Sequence, residues 1–476
     1  MTSSSLPNLV AIDLGAESCR VSLLQWRGQV PHLELIHRFS NSPVMIGDEL
    51  HWDFSRILSG LEDGLLRCAE KTSAPIAAIG VDGWAVDYVR LTENDLPIAQ
   101  PFCYRDLRTE AMEAELARRC SREELFALCG VQPLRINSLY QLMADERAGI
   151  PSSARWVNLP EYVLAWLGGR IVAEFTNATH TGLVDIATRA WCPDVFELCG
   201  LDLNAAAELA PTGTSLGKVQ GPLHSLAAFK EAQLIAPACH DTASAVAGMP
   251  MHGDDWAYIS SGTWSLVGAL TEQPIKSAAA CAAGFTNLGA AGGRICFHKN
   301  VNGMWLLKQT LNQLCPEENP WPMAELIAAA EQVDEPEGLL DVDDPELWVQ
   351  GEMASRINRQ LQQRGLSPIE EHPASMPVFA GLIFRSLAQR YAMVLSDVEA
   401  LTGKRLKRLA VVGGGSLNEF LNRLTAESTG LEVCRGVAES STAGNFAVQL
   451  ATLEGTPNSS ERIAHWAGTL TTSGYC

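Results

Sequence analysis

The feature that most constrains the fold is a strand–turn–strand pattern that occurs twice, about half a chain apart. In residues 9–25 an apolar strand passes through a small-residue turn at Gly15 into a second strand. Residues 256–269 repeat this plan around Gly262. Two similar hairpins predict two similar halves, each opening with a glycine turn that can approach a ligand closely.

Chain length agrees with a division into two parts. The 476 residues exceed the size that a single hydrophobic core supports, so we expect two domains with a shared cleft. Strand-like and helix-like segments alternate between the hairpins, which is typical of an α/β protein. We place the boundary just after the helix-like segment TASAVAGM, which predicts domains 1–250 and 251–476.

Charge and hydropathy limit the partners. The 55 acidic residues outnumber the 35 basic ones, and a net charge of -20 argues against nucleic acid. An anionic nucleotide stays compatible, since backbone N–H groups and Mg²⁺ supply local positive potential. The N-terminal segment lacks a signal-peptide pattern, and no run reaches the roughly 18 apolar residues of a membrane span. We expect a cytoplasmic protein without a membrane partner, as a monomer or a homodimer.

Two segments have the pattern of a phosphate site. Asp13 ends an apolar strand and opens the sequence D-x-G-x-x-S-x-R, which finishes at Arg20. The free N–H groups of such a turn bind phosphate oxygens, and a carboxylate at a strand end holds hydrated Mg²⁺. A D-x-G hairpin is often only a turn, but the matching turn at Thr263 favours a nucleotide site. The glycines that follow a strand at Gly413 and precede a helix mark a second place where nucleotides commonly bind.

Asp241 is the candidate catalytic base. It follows an apolar run in CHDTASAV and begins a helix-like stretch near the domain junction. Aspartate at such a position often serves as a helix N-cap. The same carboxylate can instead accept the proton of a substrate hydroxyl that attacks ATP. The local sequence leaves both interpretations open.

Asp82, Trp84 and Asp87 occur together in VDGWAVDY. Alternation along a strand predicts that Asp82 and Trp84 share a face, where a carboxylate beside an aromatic ring would suit a sugar. The alternative is a tryptophan in the core and an aspartate at a turn.

Four segments in this order, DLGAESCR, HDTASAV, SSGTWSLVG and VVGGGSLNEF, resemble the motifs of the FGGY carbohydrate kinases over nearly the whole chain. The resemblance implies two ribonuclease-H-like domains of the actin-like ATPase type, with ATP and Mg²⁺ bound across the cleft. Further segments, including DGWAVDYV, EFTNATHTGLVD and VAESSTAGNFAVQL, are most similar to the L-rhamnulose kinases of that family. This similarity implies phosphorylation of L-rhamnulose at its 1-hydroxyl in rhamnose catabolism, with L-fuculose or L-xylulose as alternative ketoses.

The resemblance also implies roles for individual residues. Asp241 would be the base, and Asp13 would hold the metal through water. The residues expected at ATP are Ala16, Glu17, Ser18, Cys19, Arg20, Thr263, Lys308 and Gly414. The residues expected at the sugar, including the two from the strand pattern, are Asp82, Trp84, Ala85, His240, Asp241, Thr242 and Asn300.

The sequence departs from the family pattern at three of these positions. Ala85 and Cys19 replace usual glycines, and Lys308 replaces a usual glutamine. The ketose preference is therefore not fixed by the resemblance. Two other classes share parts of the pattern: an actin-like or chaperone-like ATPase has the same two hairpins, and a silent sugar sensor would bind sugar without transferring phosphate.

Overall fold

The structure is a computed structural model that describes residues 6–315, 321–436 and 439–471. It divides into two compact units. The described part of the first unit consists of residues 6–252, 270–297 and 439–471. That of the second consists of residues 253–269, 298–315 and 321–436.

The strands are numbered in chain order. Those of the N-terminal half are β1 (Asn8–Leu14), β2 (Ser18–Arg27), β3 (Val30–Ser40), β4 (Pro43–Ile46), β5 (Glu49–Trp52), β6 (Ile76–Gly83), β7 (Tyr88–Arg90), β8 (Trp156–Asn158), β9 (Ala173–Glu174), β10 (Val184–Asp185), β11 (Ala190–Trp191), β12 (Leu209–Ala210), β13 (Thr214–Lys218) and β14 (Gln233–Ala236). Those that follow are β15 (Trp256–Ser261), β16 (Trp264–Thr271), β17 (Phe285–Gly289), β18 (Ile295–Asn302), β19 (Arg408–Val412) and β20 (Glu432–Arg435).

The α-helices are numbered in the same way. The first nine are α1 (Phe54–Lys71), α2 (Glu110–Leu116), α3 (Arg122–Cys129), α4 (Ser138–Arg147), α5 (Leu159–Trp166), α6 (Phe175–Ala178), α7 (Pro193–Cys199), α8 (Gly221–His224) and α9 (Asp241–Ala247). The remainder are α10 (Ala278–Ala282), α11 (Trp305–Leu314), α12 (Met323–Glu331), α13 (Met353–Gln363), α14 (Met376–Thr402), α15 (Glu419–Thr429), α16 (Ser440–Leu453) and α17 (Ser460–Leu470).

The two units repeat one strand arrangement. In the first unit the order β2-β1-β6-β14 lies within a six-stranded sheet, with β1 antiparallel to β2 and parallel to β6, which in turn is parallel to β14. In the second unit β16-β15-β19-β20 lie in that order, with β15 antiparallel to β16 and parallel to β19, and β20 parallel to β19. The prediction of two α/β domains with a repeated strand arrangement is confirmed, whereas the bounds 1–250 and 251–476 stay a prediction.

Strand β1 is apolar on both faces because each face is covered. Val10 and Ile12 belong to one core, which includes the buried face of α1, whereas Leu9 and Ala11 pack with residues of α16 and α17. Such double coverage is usual where parallel strands lie inside a sheet. By the two-residue period of a strand, Asp13 follows Ala11 onto the side of α16.

Two glycines let helices α9 and α16 touch through their backbones. A Cβ atom on Gly444 would lie 1.8 Å from the carbonyl oxygen of Ser244, and one on Gly248 would lie 2.2 Å from that of Ser440. Neither position accepts a side chain without displacing backbone. This contact places the first turns of α16 beside α9, the helix that Asp241 begins.

One helix in the described part of the chain is long and apolar enough to cross a membrane by length and composition, the segment Pro373–Thr402 that contains α14. However, 67% of its most apolar window is buried, and it packs against α11, α12 and α15 of the second unit. Burial within that unit accounts for its composition.

Candidate active site

Two carboxylates end neighbouring strands of the first unit. Asp13 of β1 pairs in register with Asp82 of β6, and both side chains are buried. Burial raises the pKa of Asp13 to about 6; Arg20 opposes this shift and the charge of Asp241 adds to it. Burial and the charge of Asp13 raise the pKa of Asp82 well above its ordinary value. Carboxylates that perturb one another in this way are typical of functional sites.

Arg20 only partly balances the negative charge of the carboxylates around it. Arg20 Nη1 lies 3.3 Å from Asp13 Oδ2, and Arg20 Nε lies 3.7 Å from Glu439 Oε2. Ser441 Oγ also donates to Asp13 Oδ2, at 3.2 Å. Within the described ranges there is no group of three His, Cys, Asp or Glu side chains that could hold a metal ion. A buried carboxylate at a strand end, such as Asp13, suits a hydrated cation.

Helix α16 supplies a hydrogen-bonded chain beneath these carboxylates. Gln449 Nε2 donates to Asn445 Oδ1 at 2.7 Å and to the carbonyl of Val10 at 3.0 Å. Asn445 Nδ2 in turn donates to Asp82 Oδ2 at 2.6 Å. Gly80 leaves room for this chain, because its Cβ would lie 2.4 Å from Asn445 Oδ1. The motifs of the sequence do not assign a role to Asn445; the sequence signal for it is a pair of amides four residues apart in an apolar helix.

Asp241 is the first residue of α9, and His240 occupies the N-cap position. The N-cap alternative for Asp241 is therefore wrong. Thr242 Oγ1 donates to Asp241 Oδ1 at 3.2 Å, and His240 Nε2 lies 3.3 Å from the same oxygen. The Asp241 side chain is 38% exposed on one side, and enclosure by protein on the others raises its pKa to about 6. It is accessible and mostly ionised at neutral pH, as a general base must be.

The histidine before the base is neutral at physiological pH, because burial lowers the pKa of His240 to about 3. Its ring packs on His180, with ring centroids 3.8 Å apart and 3.1 Å between His180 Nε2 and His240 Nδ1. The other ring nitrogen of His240, Nε2, is the one that faces Asp241 Oδ1.

A buried acid holds the backbone that leads to Asp241. Glu174 accepts hydrogen bonds from the N–H of Cys239, at 3.0 Å, and from the hydroxyl of Thr176. Thr176 Oγ1 accepts the N–H of His240 at 3.2 Å. Both acceptors, Glu174 and Thr176, lie in EFTNATHTGLVD. This segment is similar to the family, but the similarity predicts no role for either residue. Glu174 is also the N-cap of α6, where its side chain accepts the N–H groups of Thr176 and Asn177.

Trp84 does not share a face with Asp82, so that prediction is wrong. Strand β6 ends at Gly83, and the alternation stops there. Trp84 instead lies in the core on the opposite side of the sheet, where its Nε1 donates to Asp87 Oδ2 at 3.0 Å. Ala85, which follows, is 7% exposed. Contact of any of these residues with a sugar stays a prediction.

The turn that is predicted to bind phosphate requires glycine at residue 15. A Cβ on Gly15 would lie 2.4 Å from the carbonyl oxygen of Ser18, so only glycine fits there. Ala16 is half-buried and Glu17 is exposed at the turn. Cys19 is fully buried in the core, and burial raises the pKa of its thiol to about 12. Its side chain packs, so any contact of Cys19 with phosphate would use the backbone.

In the second unit, Thr263 lies exposed at the turn between β15 and β16. The carbonyl of Gly262 accepts the N–H of Met304, and the carbonyl of Thr263 accepts that of Trp305, each at 3.1 Å. These bonds join the turn to the start of α11, which carries Lys308.

A cavity of about 380 Å³ lies between this turn and α11. It is lined by Thr263, Met304, Trp305, Leu307, Lys308, Leu311, Asn312, Cys315 and Met323.

Gly414 differs from the two glycines beside it. Gly413 has φ +80°, and a Cβ on Gly415 would lie 1.9 Å from Ser261 Oγ, so both are required by the backbone or by packing. A Cβ on Gly414 would meet nothing within 4 Å. Gly414 therefore presents an open backbone surface after β19.

Asn300, which is predicted to contact the sugar, lies in β18 and is exposed.

Comparison with known families gives two adjoining matches. Residues 8–248 match the model of the FGGY family of carbohydrate kinases, N-terminal domain, and residues 257–453 match that of its C-terminal domain. Together they account for most of the chain.

Curated relatives match at full length. A rhamnulokinase from Enterobacter sp. (strain 638) is 36% identical over 457 residues, covering 94% of this chain and 90% of the relative. A rhamnulokinase from Oceanobacillus iheyensis is 32% identical over 448 residues, covering 94% and 93%.

Solved structures share the fold at low sequence identity. A gluconate kinase from Lactobacillus acidophilus gives a TM-score of 0.77 at 14% identity, covering 99% of this chain and 93% of the other. A Plasmodium falciparum glycerol kinase with ADP gives 0.73 at 15% identity, covering 97% and 92%. The predicted actin-like ATPase fold is confirmed.

Proposed function

Because the chain belongs to the FGGY family of carbohydrate kinases, we propose that it transfers the γ-phosphoryl group of ATP to the 1-hydroxyl of L-rhamnulose. Its full-length similarity to rhamnulokinases supports this substrate. The observation that carries the chemistry is Asp241, an accessible carboxylate that begins a helix and whose pKa is about 6. The reaction would take place in the cytoplasm, where ATP is available.

Asp241 acts as the general base. As the sugar oxygen bonds to the γ-phosphorus, the bond from that phosphorus to the oxygen bridging the β- and γ-phosphates breaks, and ADP leaves with that oxygen. The O–H bond of the sugar breaks at the same time, and its proton passes to a carboxylate oxygen of Asp241. Thr242 and neutral His240 hold that carboxylate in place. A positioned base of this kind typically contributes about 10²- to 10⁴-fold to the rate.

Asp13 is the proposed metal contact, through water. Mg²⁺ bound with ATP neutralises the phosphate charge that repels an attacking oxygen. The charges of Asp241 and Glu439 act on Asp13 together with that of Arg20, and this excess of carboxylates over guanidinium fits such a cation. Arg20 keeps Asp13 from full protonation, since its charge opposes the effect of burial.

The second unit provides the proposed nucleotide contacts. Thr263 and Lys308 line one cavity, and Lys308 supplies a cation suited to a phosphate oxygen. The open surface at Gly414 suits the adenine side. In the first unit, residues 16–20 would meet the phosphates through the backbone of their turn.

The sugar contacts proposed from the resemblance are Ala85, His240, Thr242 and Asn300, with Asp82 and Trp84 from the strand pattern. The hydrogen-bonding side chains of Asp82, His240 and Asn300 would reject a wrong stereoisomer, because a lost partner leaves a polar group unpaired at a cost of about 1–3 kcal/mol.

Measurement of ADP release with and without ketose tests the proposal. A sugar kinase releases ADP in proportion to added ketose. An actin-like or chaperone-like ATPase would release ADP at a rate that ketose does not change. A silent sensor would bind ketose, seen by calorimetry, while ADP stays constant. Either of the last two results would overturn the kinase assignment.

A further inference from the structure

The turn that carries Ala85 contains a residue in an uncommon conformation. Val86 has φ +71°, in the left-handed region. A β-branched residue is rarely found there, because its side chain crowds the backbone. Val86 is also buried, so its environment must stabilise this conformation. Backbone strain of this kind concentrates at functional positions.

Two side chains of helix α4 hold the strained residue. Ser138 Oγ donates to the carbonyl oxygen of Val86 at 2.6 Å, and Gln141 Nε2 donates to the same oxygen at 3.2 Å. Ser138 and Gln141 are fully buried and lie three residues apart, on one face of α4. They fix the direction of the Val86 carbonyl and therefore the orientation of the peptide bond on its C-terminal side.

Hydrogen bonds also hold the residues on both sides of Val86. Trp84 Nε1 and Gln141 Nε2 donate to the two oxygens of Asp87, at 3.0 Å each. At the other end, the N–H of Gly83 donates to the carbonyl of Cys239 at 2.9 Å, and that of Trp84 donates to Leu14 at 3.1 Å. The turn is thus tied to the end of β1 and to the backbone just before Asp241.

We propose that Ser138 and Gln141 are positioning residues for the sugar: by holding Val86 in the left-handed conformation they set where Ala85 meets the substrate. The inference rests on the proposed function, which places Ala85 at the ketose. Without the hydrogen bond from Ser138, Val86 relaxes toward negative φ, and the peptide between Ala85 and Val86 rotates. The sugar then meets a displaced Ala85 and binds less tightly.

A double-mutant cycle between Ser138 and Val86 tests this proposal. Ser138→Ala should raise the KM for ketose about fivefold, the effect of one lost hydrogen bond, and leave the KM for ATP unchanged. Val86→Gly adopts positive φ without strain. In that background Ser138→Ala should change the ketose KM less than about twofold, so the two substitutions are coupled.

A buried serine in the second unit provides the control. Ser386 Oγ donates to the carbonyl of Leu382 at 2.7 Å and accepts the N–H of Leu340 at 2.9 Å. Ser386→Ala therefore removes buried serine hydrogen bonds away from the turn and should leave the ketose KM unchanged. If Val86→Gly does not fold, Val86→Asn replaces it, because asparagine tolerates the left-handed region.

Three results would contradict the inference. An unchanged ketose KM in Ser138→Ala, or an equal effect of Ser138→Ala in both backgrounds, overturns the positioning role while the kinase assignment stands. A parent enzyme that phosphorylates no ketose overturns the proposed function itself, and this inference with it.

Discussion

Asn445 donates from Nδ2 to Asp82 Oδ2 at 2.6 Å, which connects helix α16, near the end of the chain, to the end of strand β6. Asp82 lies in register with Asp13, the proposed metal contact. The contact of Gly444 with α9 sets how closely α16 approaches. A helix distant in sequence thus supports the carboxylates of the site.

Asn445→Ala should therefore lower both stability and activity. Asp82 would lose its amide donor while fully buried, which costs about 1–3 kcal/mol of unfolding free energy. Because Asp82 pairs in register with Asp13, its displacement also shifts the end of β1, so we expect kcat to fall about tenfold, the effect of roughly 1.4 kcal/mol on the barrier. Urea unfolding and steady-state kinetics measure the two effects.

A buried asparagine in the second unit is the matched control. Asn358 Nδ2 donates to the carbonyl of Ile369 at 2.7 Å. Asn358→Ala should lower stability by a similar amount but leave kcat near that of the parent. If both variants lose stability and neither loses kcat, Asn445 is only structural.

The pH dependence of kcat/KM follows from the two perturbed aspartates. Burial raises the pKa of both Asp13 and Asp241 to about 6, and each must be ionised to act as proposed. Activity should be full above that pH and decline as the pH falls through about 6. This acidic side of the profile reports the titration of Asp13 and Asp241 together, not of either residue alone. A profile flat down to pH 4 would contradict these roles.

Asp241→Asn should lower kcat by about 10²- to 10⁴-fold, because the amide cannot accept the proton. ATP binding, measured by calorimetry, should stay close to that of the parent. Asp202→Asn is the control: Asp202 caps a short turn by accepting the N–H of Asn204, and asparagine caps equally well. Turnover like that of the parent in Asp241→Asn would show that another group is the base.

Gly414→Val should raise the KM for ATP far more than the KM for ketose. The added side chain enters space that the protein leaves open, so the fold should tolerate it while the nucleotide is excluded. Gly415→Ala should behave oppositely and destabilise the protein, since its Cβ would collide with Ser261. An unchanged KM for ATP in Gly414→Val would place the adenine elsewhere.

The sequence predicted those features that depend on local pattern. Two hairpins with glycine turns indicated the repeated halves, and the ends of β1 and α9 indicated Asp13 and Asp241. Strand and helix periodicity report which residues share a face, but not which other segment covers that face. For this reason the sequence alone does not assign a role to Asn445, although its helix lies in the segment VAESSTAGNFAVQL, which resembles the family.

Two local errors have a physical cause as well. The predicted shared face of Asp82 and Trp84 assumes that the alternation in VDGWAVDY continues past Gly83. The strand ends there, and the chain enters the turn that contains Val86. The carbonyl of Val86 accepts hydrogen bonds from Ser138 and Gln141 of α4, and no local pattern reveals these contacts. Asp241 resembled an N-cap because caps and first-turn residues are similar in composition.

A ketose panel with phosphorus NMR of the product tests the central claim most directly. L-rhamnulose, L-fuculose, L-xylulose and glycerol would each be incubated with ATP, Mg²⁺ and enzyme, alone and in competition. The account predicts that L-rhamnulose has the highest kcat/KM and that the new phosphate is on its primary 1-hydroxyl. Preferred phosphorylation of L-fuculose or L-xylulose would contradict the proposed substrate, and the absence of any sugar phosphate would contradict the proposed function.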